Sequence, residues 1–197
     1  MKQKRPYISA QRRRKEGKTD YRKRKAAIIS RMILAAPRIS GKNVSVQFIS
    51  PEIIGDRVVI SSHSRELSKY GWNGSRNSLP AAYLTGLLAG LKGVSKKVNG
   101  VVMYVGVARF VNGSRLASIV KGIQDSGIKI VADEASLPTD DRIRGEHIAA
   151  YSKSFSDEKE LKGRFSGIIS SGLSPGDYPK HFDDVHKKIL TEFGASA

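Results

Sequence analysis

Ser78-Leu-Pro-Ala-Ala-Tyr-Leu-Thr-Gly-Leu-Leu-Ala-Gly-Leu-Lys92 is the stretch from which the architecture follows. Leu84, Leu87, Leu88 and Leu91 recur at i, i+3, i+4 and i+7, the spacing of one helix face. Ser78 or Asn77 suits the cap, and Pro80 falls in the first turn, where its missing N–H does no harm. Gly86 and Gly90 lower helix propensity, so they are expected where the helix backbone packs closely on a sheet.

The sheet is read on either side of that helix. Met32–Ala36 reads as a strand whose far end Pro37 limits. Ile39-Ser-Gly-Lys-Asn43 is turn-like, because Gly and Asn tolerate positive φ. Val44, Val46 and Phe48 alternate with Ser45 and Gln47, the period of a half-buried strand. Pro51 and Gly55 break that strand, and Arg57–Ser61 makes a third, so the start of the sheet is an antiparallel meander. Beyond the helix, Val101–Val105 is a continuous apolar run, expected of a strand covered on both faces. Gly113-Ser-Arg115 opens a second helix with Leu116, Ile119, Val120 and Ile123 on one stripe, ended by Gly127. Ile128–Val131 is a further strand, so strand-helix-strand implies a parallel pair. Thr139–Tyr151 and Pro179–Phe193 read as late helices, with an irregular Ser/Gly-rich segment between them. The order βββαβαβ followed by helices is an α/β fold, a three-layer α/β/α sandwich with a mixed sheet. Three parts are expected: an arm over 1–31, an α/β core over 32–132 and a helical extension over 133–197.

Charge says what such a fold would meet. The 197 residues carry a net +17, which implies a polyanionic partner such as nucleic acid or an anionic membrane. Residues 1–31 hold thirteen basic and two acidic groups, residues 32–132 thirteen and four, and residues 133–197 nine and twelve. The front two-thirds therefore face the polyanion. The arm is expected to stay extended until a polyanion neutralises it. Lys2, Lys4, Arg5, Arg12, Arg13, Arg14, Lys15, Lys18, Arg22, Lys23, Arg24 and Lys25 are its candidate phosphate contacts, Arg bidentately and Lys as point charges. Tyr7 and Tyr21 offer rings on which unstacked bases can lie. Arg38, Lys42, Lys69, Arg76 and Arg115 extend the basic surface onto the folded domain. The arm lacks the apolar stripe that a membrane-surface helix inserts.

Three catalytic patterns fail on chemistry. Gly172-Leu-Ser174-Pro-Gly176 has the spacing of a nucleophile elbow, but an oxyanion hole needs the N–H of the residue after the serine, and Pro175 has none. Gly17-Lys-Thr19 lacks the first glycine of a phosphate loop, since Arg12 stands there. The histidines at 63, 147, 181 and 186 lack metal-ligand spacing, and with no cysteine in the chain thiolate sites are excluded. A metal-dependent nuclease on such a sheet would need clustered carboxylates on its core strands. Neither Met32–Arg38 nor Val101–Val105 contains one. No metal, no cofactor and no small-molecule substrate are expected.

Several segments together resemble one family. They are Thr19-Asp-Tyr-Arg-Lys-Arg24, His63-Ser-Arg-Glu-Leu-Ser-Lys-Tyr-Gly-Trp72, the helix Leu79–Lys92, Gly113-Ser-Arg115, Arg142-Ile-Arg-Gly-Glu-His-Ile-Ala-Ala-Tyr151 and Pro179-Lys-His-Phe-Asp-Asp-Val185. The chain is similar to the archaeal and eukaryotic branch of large-subunit ribosomal protein eighteen, the 5S rRNA-binding protein of the central protuberance. The resemblance implies a ribonuclease H-like core without the acidic site. It also implies a structural role in the cytoplasmic ribosome, clamping 5S rRNA and attaching it to 23S rRNA beside large-subunit ribosomal protein five. One turn departs from the family's Arg-x-Ser-Asn-Lys-His: here it reads Arg38-Ile-Ser-Gly-Lys-Asn43. Phosphate contacts carry over to Arg38 and Lys42; a contact made by the family's histidine does not carry over, and Asn43 in its place is expected to hydrogen-bond a base edge or ribose. Another RNA-binding or RNA-processing factor on the same sheet is the alternative, and a membrane-surface protein a second one.

Overall fold

The computed structural model describes residues 9–155 and 157–194. Two short helices come first, α1 (Arg12–Lys15) and α2 (Tyr21–Ile29). The strands β1 (Ile33–Ile39), β2 (Val44–Pro51) and β3 (Asp56–His63) follow, then α3 (Leu79–Ser95), β4 (Val101–Met103) and α4 (Arg115–Asp125). The chain ends in α5 (Asp140–Arg144), α6 (Glu146–Lys153), α7 (Glu158–Arg164), α8 (Ser166–Ser170) and α9 (Tyr178–Glu192). The sheet order is β3-β2-β1-β4, antiparallel across the first three strands and parallel between β1 and β4. The expected mixed α/β sandwich is therefore what the chain forms.

Alternation along the strands sends side chains to two faces. Ala35, Val44, Val46, Phe48 and Ile60 join α3 and the Leu116, Ile119, Val120 and Ile123 stripe of α4 on one face. Leu34, Ala36 and Ile49 meet Ala27 of α2 and Tyr104 on the other. Helix α3 is buried on nearly every side, because its far side packs on Ile143 of α5 and on Tyr178, Phe182, Val185 and Ile189 of α9. That is why its sequence is apolar all round rather than striped.

Six readings of the sequence need correction. Pro37 lies inside β1, opposite Val46; the β4 pairing reaches only as far as Ala35, so the strand is a free edge there and lacks nothing by Pro's missing donor. The apolar run Val101–Val105 gives only a three-residue edge strand with Val102 and Met103 half-buried. Beyond it Ile128–Val131 contributes a single bridge, Gly100 to Lys129, instead of a fifth strand, and Val131 is fully exposed. Thr139–Tyr151 is two helices, because Gly145 turns at φ +84 with the Tyr178 ring against it; the segment before α9, expected to be irregular, holds α7 and α8. Finally, Gly86 and Gly90 face α4 rather than the sheet. A Cβ at Gly86 would stand 2.5 Å from the carbonyl oxygen of Ile119, and one at Gly90 would meet Ser126.

The edge of β3 is covered by lysines from α3 and the residue after it. Lys96 Nζ donates to the Val59 carbonyl (2.7 Å) and Lys92 Nζ to that of Ser61 (3.3 Å), while Lys92 also pairs with Glu66.

Candidate nucleic-acid interface

The described part of the arm is folded, not extended. Asp20 caps α2 by accepting the N–H groups of Arg22 (3.0 Å) and Lys23 (3.2 Å), which lets a cationic helix start against its own charge. Its last turns bury Ala27 on the sheet. Arg24 anchors the middle: its guanidinium pairs with Asp56 and lies 5.5 Å above the Tyr104 ring. The hydrogen bond to Asp56 raises the Arg24 pKa despite partial burial.

Under this helix lies an open cleft of about 770 Å³, lined by Arg13, Lys18, Tyr21, Arg24 and Arg38 with Tyr104 and the Val105–Ala108 loop. Tyr21 is at its rim, about one-third exposed. Arg13 is oriented by donating to Thr19 Oγ1 (2.9 Å), and Lys23 Nζ reaches the Gly106 carbonyl at 3.5 Å. Arg12 and Lys18 share Glu16. Arg14, Lys15, Arg22 and Lys25 are exposed, and none has a side-chain partner among the described residues. Lys2, Lys4, Arg5 and Tyr7 lie outside the described residues.

A second cleft, about 580 Å³, gathers Lys42, Asn43, Arg65, Arg76, Asn73 and the Trp72 ring. The β1–β2 hairpin links the two: Arg38 lines the first and Lys42 and Asn43 the second. Its turn is closed by Ser40, whose N–H and hydroxyl both donate to the Asn43 carbonyl (2.9 Å each). Neither Gly41 nor Asn43 uses a positive φ, contrary to the expectation from their residue types. Asn43 Oδ1 is buried with no donor, an unsatisfied acceptor beneath the surface of this basic cleft. Arg76 leans on Ser68 Oγ at 3.4 Å. Lys69 is exposed but lines neither cleft, and Arg115 is held inside the chain by Asn77, with its Nη1 3.2 Å from the Asn77 carbonyl.

Trp72 is a core anchor. It is 3 % exposed, stacks on His181 (5.2 Å) and meets the Tyr178 ring edge-on (5.6 Å). Burial pushes the Tyr178 phenol up to about 12. His181 Nε2 accepts the Asn73 N–H at 3.0 Å, so this imidazole is neutral, and burial lowers its pKa. The unfolded chain therefore takes up a proton near pH ~6.5 that the folded one resists. Stability is expected to fall as pH drops from 6.5 towards 5.5. Thermal unfolding across that range should show it, and His181→Gln should reduce the dependence. A wild-type midpoint that rises on acidification would contradict this role.

Arg65, Tyr104 and Asn73 were not singled out from sequence. Arg65 lies within the His63–Trp72 segment and Asn73 directly follows it, while Tyr104 was hidden inside an apolar run. Among the described residues no group of three His, Asp or Glu is placed to hold a metal.

Comparison with known proteins gives the chain its family. The family model described as "Ribosomal large subunit proteins 60S L5, and 50S L18" matches residues 5–100. The "Large ribosomal subunit protein uL18" of Thermofilum pendens is 45 % identical over 179 residues, covering 90 % of this chain and 91 % of that one. Its counterpart in Methanothermobacter thermautotrophicus is 40 % identical over 94 % of this chain and 96 % of its own. That of Ignicoccus hospitalis is 42 % identical over 95 % and 93 %.

Proposed function

Since the chain belongs to the uL18 family of large ribosomal subunit proteins, we propose that its two basic clefts form one RNA-binding face that holds 5S rRNA and helps attach it to 23S rRNA. As a member of that family it is a structural constituent of the large subunit, and the family is not one of enzymes. The observation that supports the RNA reading best is the hairpin that carries Arg38 into one cleft and Lys42 and Asn43 into the other. Cations on one continuous hairpin fit a backbone running from cleft to cleft, while Tyr21 at the rim offers a face for a splayed base. Arg24 and Arg115, being paired within the chain, shape the face rather than meet phosphate. In this proposal the arm acts together with the α/β core, the helical extension meets the RNA only through Gly167 and Ser171 on the wall of the second cleft, and large-subunit ribosomal protein five is a neighbour.

A nucleotide-protection footprint on purified 5S and 23S rRNA tests this. Protection is expected on 5S rRNA at stoichiometric protein. Tyr21→Ala should weaken binding by ~1–2 kcal/mol, the loss of one stacked base. Absence of any protected 5S nucleotide would sink the proposal, and an RNA-processing factor would instead show turnover of a substrate RNA.

A further inference from the structure

Among the described residues, the other end of α2 and the turn after it leave much of their apolar surface uncovered. Ile29 is 68 % exposed, and Ile28 and Met32 are each 42 % exposed. With Ile33, Ser50, Pro51 and Arg31 they line a groove of about 470 Å³. Arg31 makes the reversal into β1 at φ +54, a left-handed conformation that costs a non-glycine residue free energy and so is held by its surroundings. Two residues past Pro51, the turn between β2 and β3 presents Ile53 and Ile54, both fully exposed; the turn is tied by the Glu52 N–H to the Gly55 carbonyl at 3.2 Å. Isolated exposed aliphatic residues need no explanation, whereas several around one groove mark an interaction surface.

We propose that this groove and the isoleucine turn dock another protein of the large subunit, through an aliphatic segment that carries a carboxylate for Arg31. The proposal rests on the family reading that the chain works inside that particle. The chemistry of the surface selects the occupant. RNA is read on flat aromatic rings and by paired cations, and this lining holds no aromatic ring and a single cation. A second copy of the chain would bring two Arg31 groups and two bodies of net +17 together, which repel. An aliphatic protein segment buries the isoleucines, and its carboxylate meets the guanidinium in the bidentate geometry that guanidinium favours. The surface also adjoins the RNA face, since Tyr21 and Arg24 of the same helix line the arm cleft.

The test places a photoreactive benzophenone side chain at Ile54 of the full chain, assembles it into large subunits and identifies the adduct. An adduct with one large-subunit protein, mapped to an aliphatic stretch with Asp or Glu beside it, is the expected result. An adduct with rRNA, an adduct with a second copy or no adduct at all overturns the proposal. The same probe at Tyr21 is read in parallel, where an rRNA adduct is expected. Failure there strikes the RNA reading and leaves the docking surface standing. The double variant Ile53→Ser with Ile54→Ser should keep the wild-type unfolding midpoint, as both side chains are in water. It should bind the identified protein at least about tenfold more weakly, ~1.4 kcal/mol; unchanged binding also overturns the proposal.

Discussion

Raising monovalent salt from about 50 to about 200 mM is expected to weaken the complex with 5S rRNA by ~10³–10⁵-fold, the effect of releasing counterions from six to ten neutralised phosphates. The structure supplies cations for such a footprint: Arg14, Lys15, Arg22 and Lys25 on the arm, Arg38 on the hairpin, and Lys42, Arg65 and Arg76 around the second cleft. Removing residues 2–14 takes away Lys2, Lys4, Arg5, Arg12, Arg13 and Arg14. Each one that touches a phosphate should lower the slope of log K against log salt by ~0.7–0.9. The fold should survive, because within that stretch the described side-chain ties are local, Arg13 to Thr19 and Arg12 to Glu16. Filter binding over a salt series gives the slope, and circular dichroism reports the fold. A truncated protein with the wild-type slope would show that residues 2–14 make no phosphate contacts.

The second large effect lies in the crossing of α3 and α4. A Cβ at Gly86 would stand 2.5 Å from the Ile119 carbonyl oxygen and 2.9 Å from its Cα, and one at Gly122 would stand 2.4 Å from the Tyr83 carbonyl oxygen. These neighbours are backbone, so no rotamer change relieves the overlap and the helices must part. Gly86→Ala and Gly122→Ala should each cost ~2–3 kcal/mol, the upper part of the range for overpacking, although alanine is the better helix former. For a chain of this length that is a fall in Tm of ~4–12 °C. Both residues serve one crossing, so the double variant should lose less than the sum of the singles, because helices already parted by one methyl accept the second more cheaply. Additive losses would mean that the two contacts are independent and that the crossing is not a single rigid unit.

The long periodic elements were legible because burial itself writes the period. The Leu84–Leu91 face, the Leu116–Ile123 stripe and the Val44–Phe48 alternation all lie where they were expected. What sequence hid was always a choice of partner. Gly86 announced a close approach, but not whether to the sheet or to α4. Pro37 looked like a strand end because its effect depends on how far β4 extends beside it. The site followed the same rule. Composition picked out the cations, yet Arg24 differs from Arg22 only through Asp56, thirty-two positions away, and Arg115 from Lys42 only through Asn77. The division into two clefts, and the membership of Arg65 and Tyr104, depend on loops that meet only once the chain has folded.

The lysine-covered edge of β3 bears on the chain before any RNA reaches it. Outer strands with open carbonyls are templates on which a second copy can add its own strand. Here the Val59 and Ser61 carbonyls already receive ammonium groups from Lys96 and Lys92, so an incoming strand must first displace two charges and then accept them as neighbours. Free chains are therefore expected to resist edge-to-edge polymerisation, through the same kind of residue that the proposed function sets against RNA.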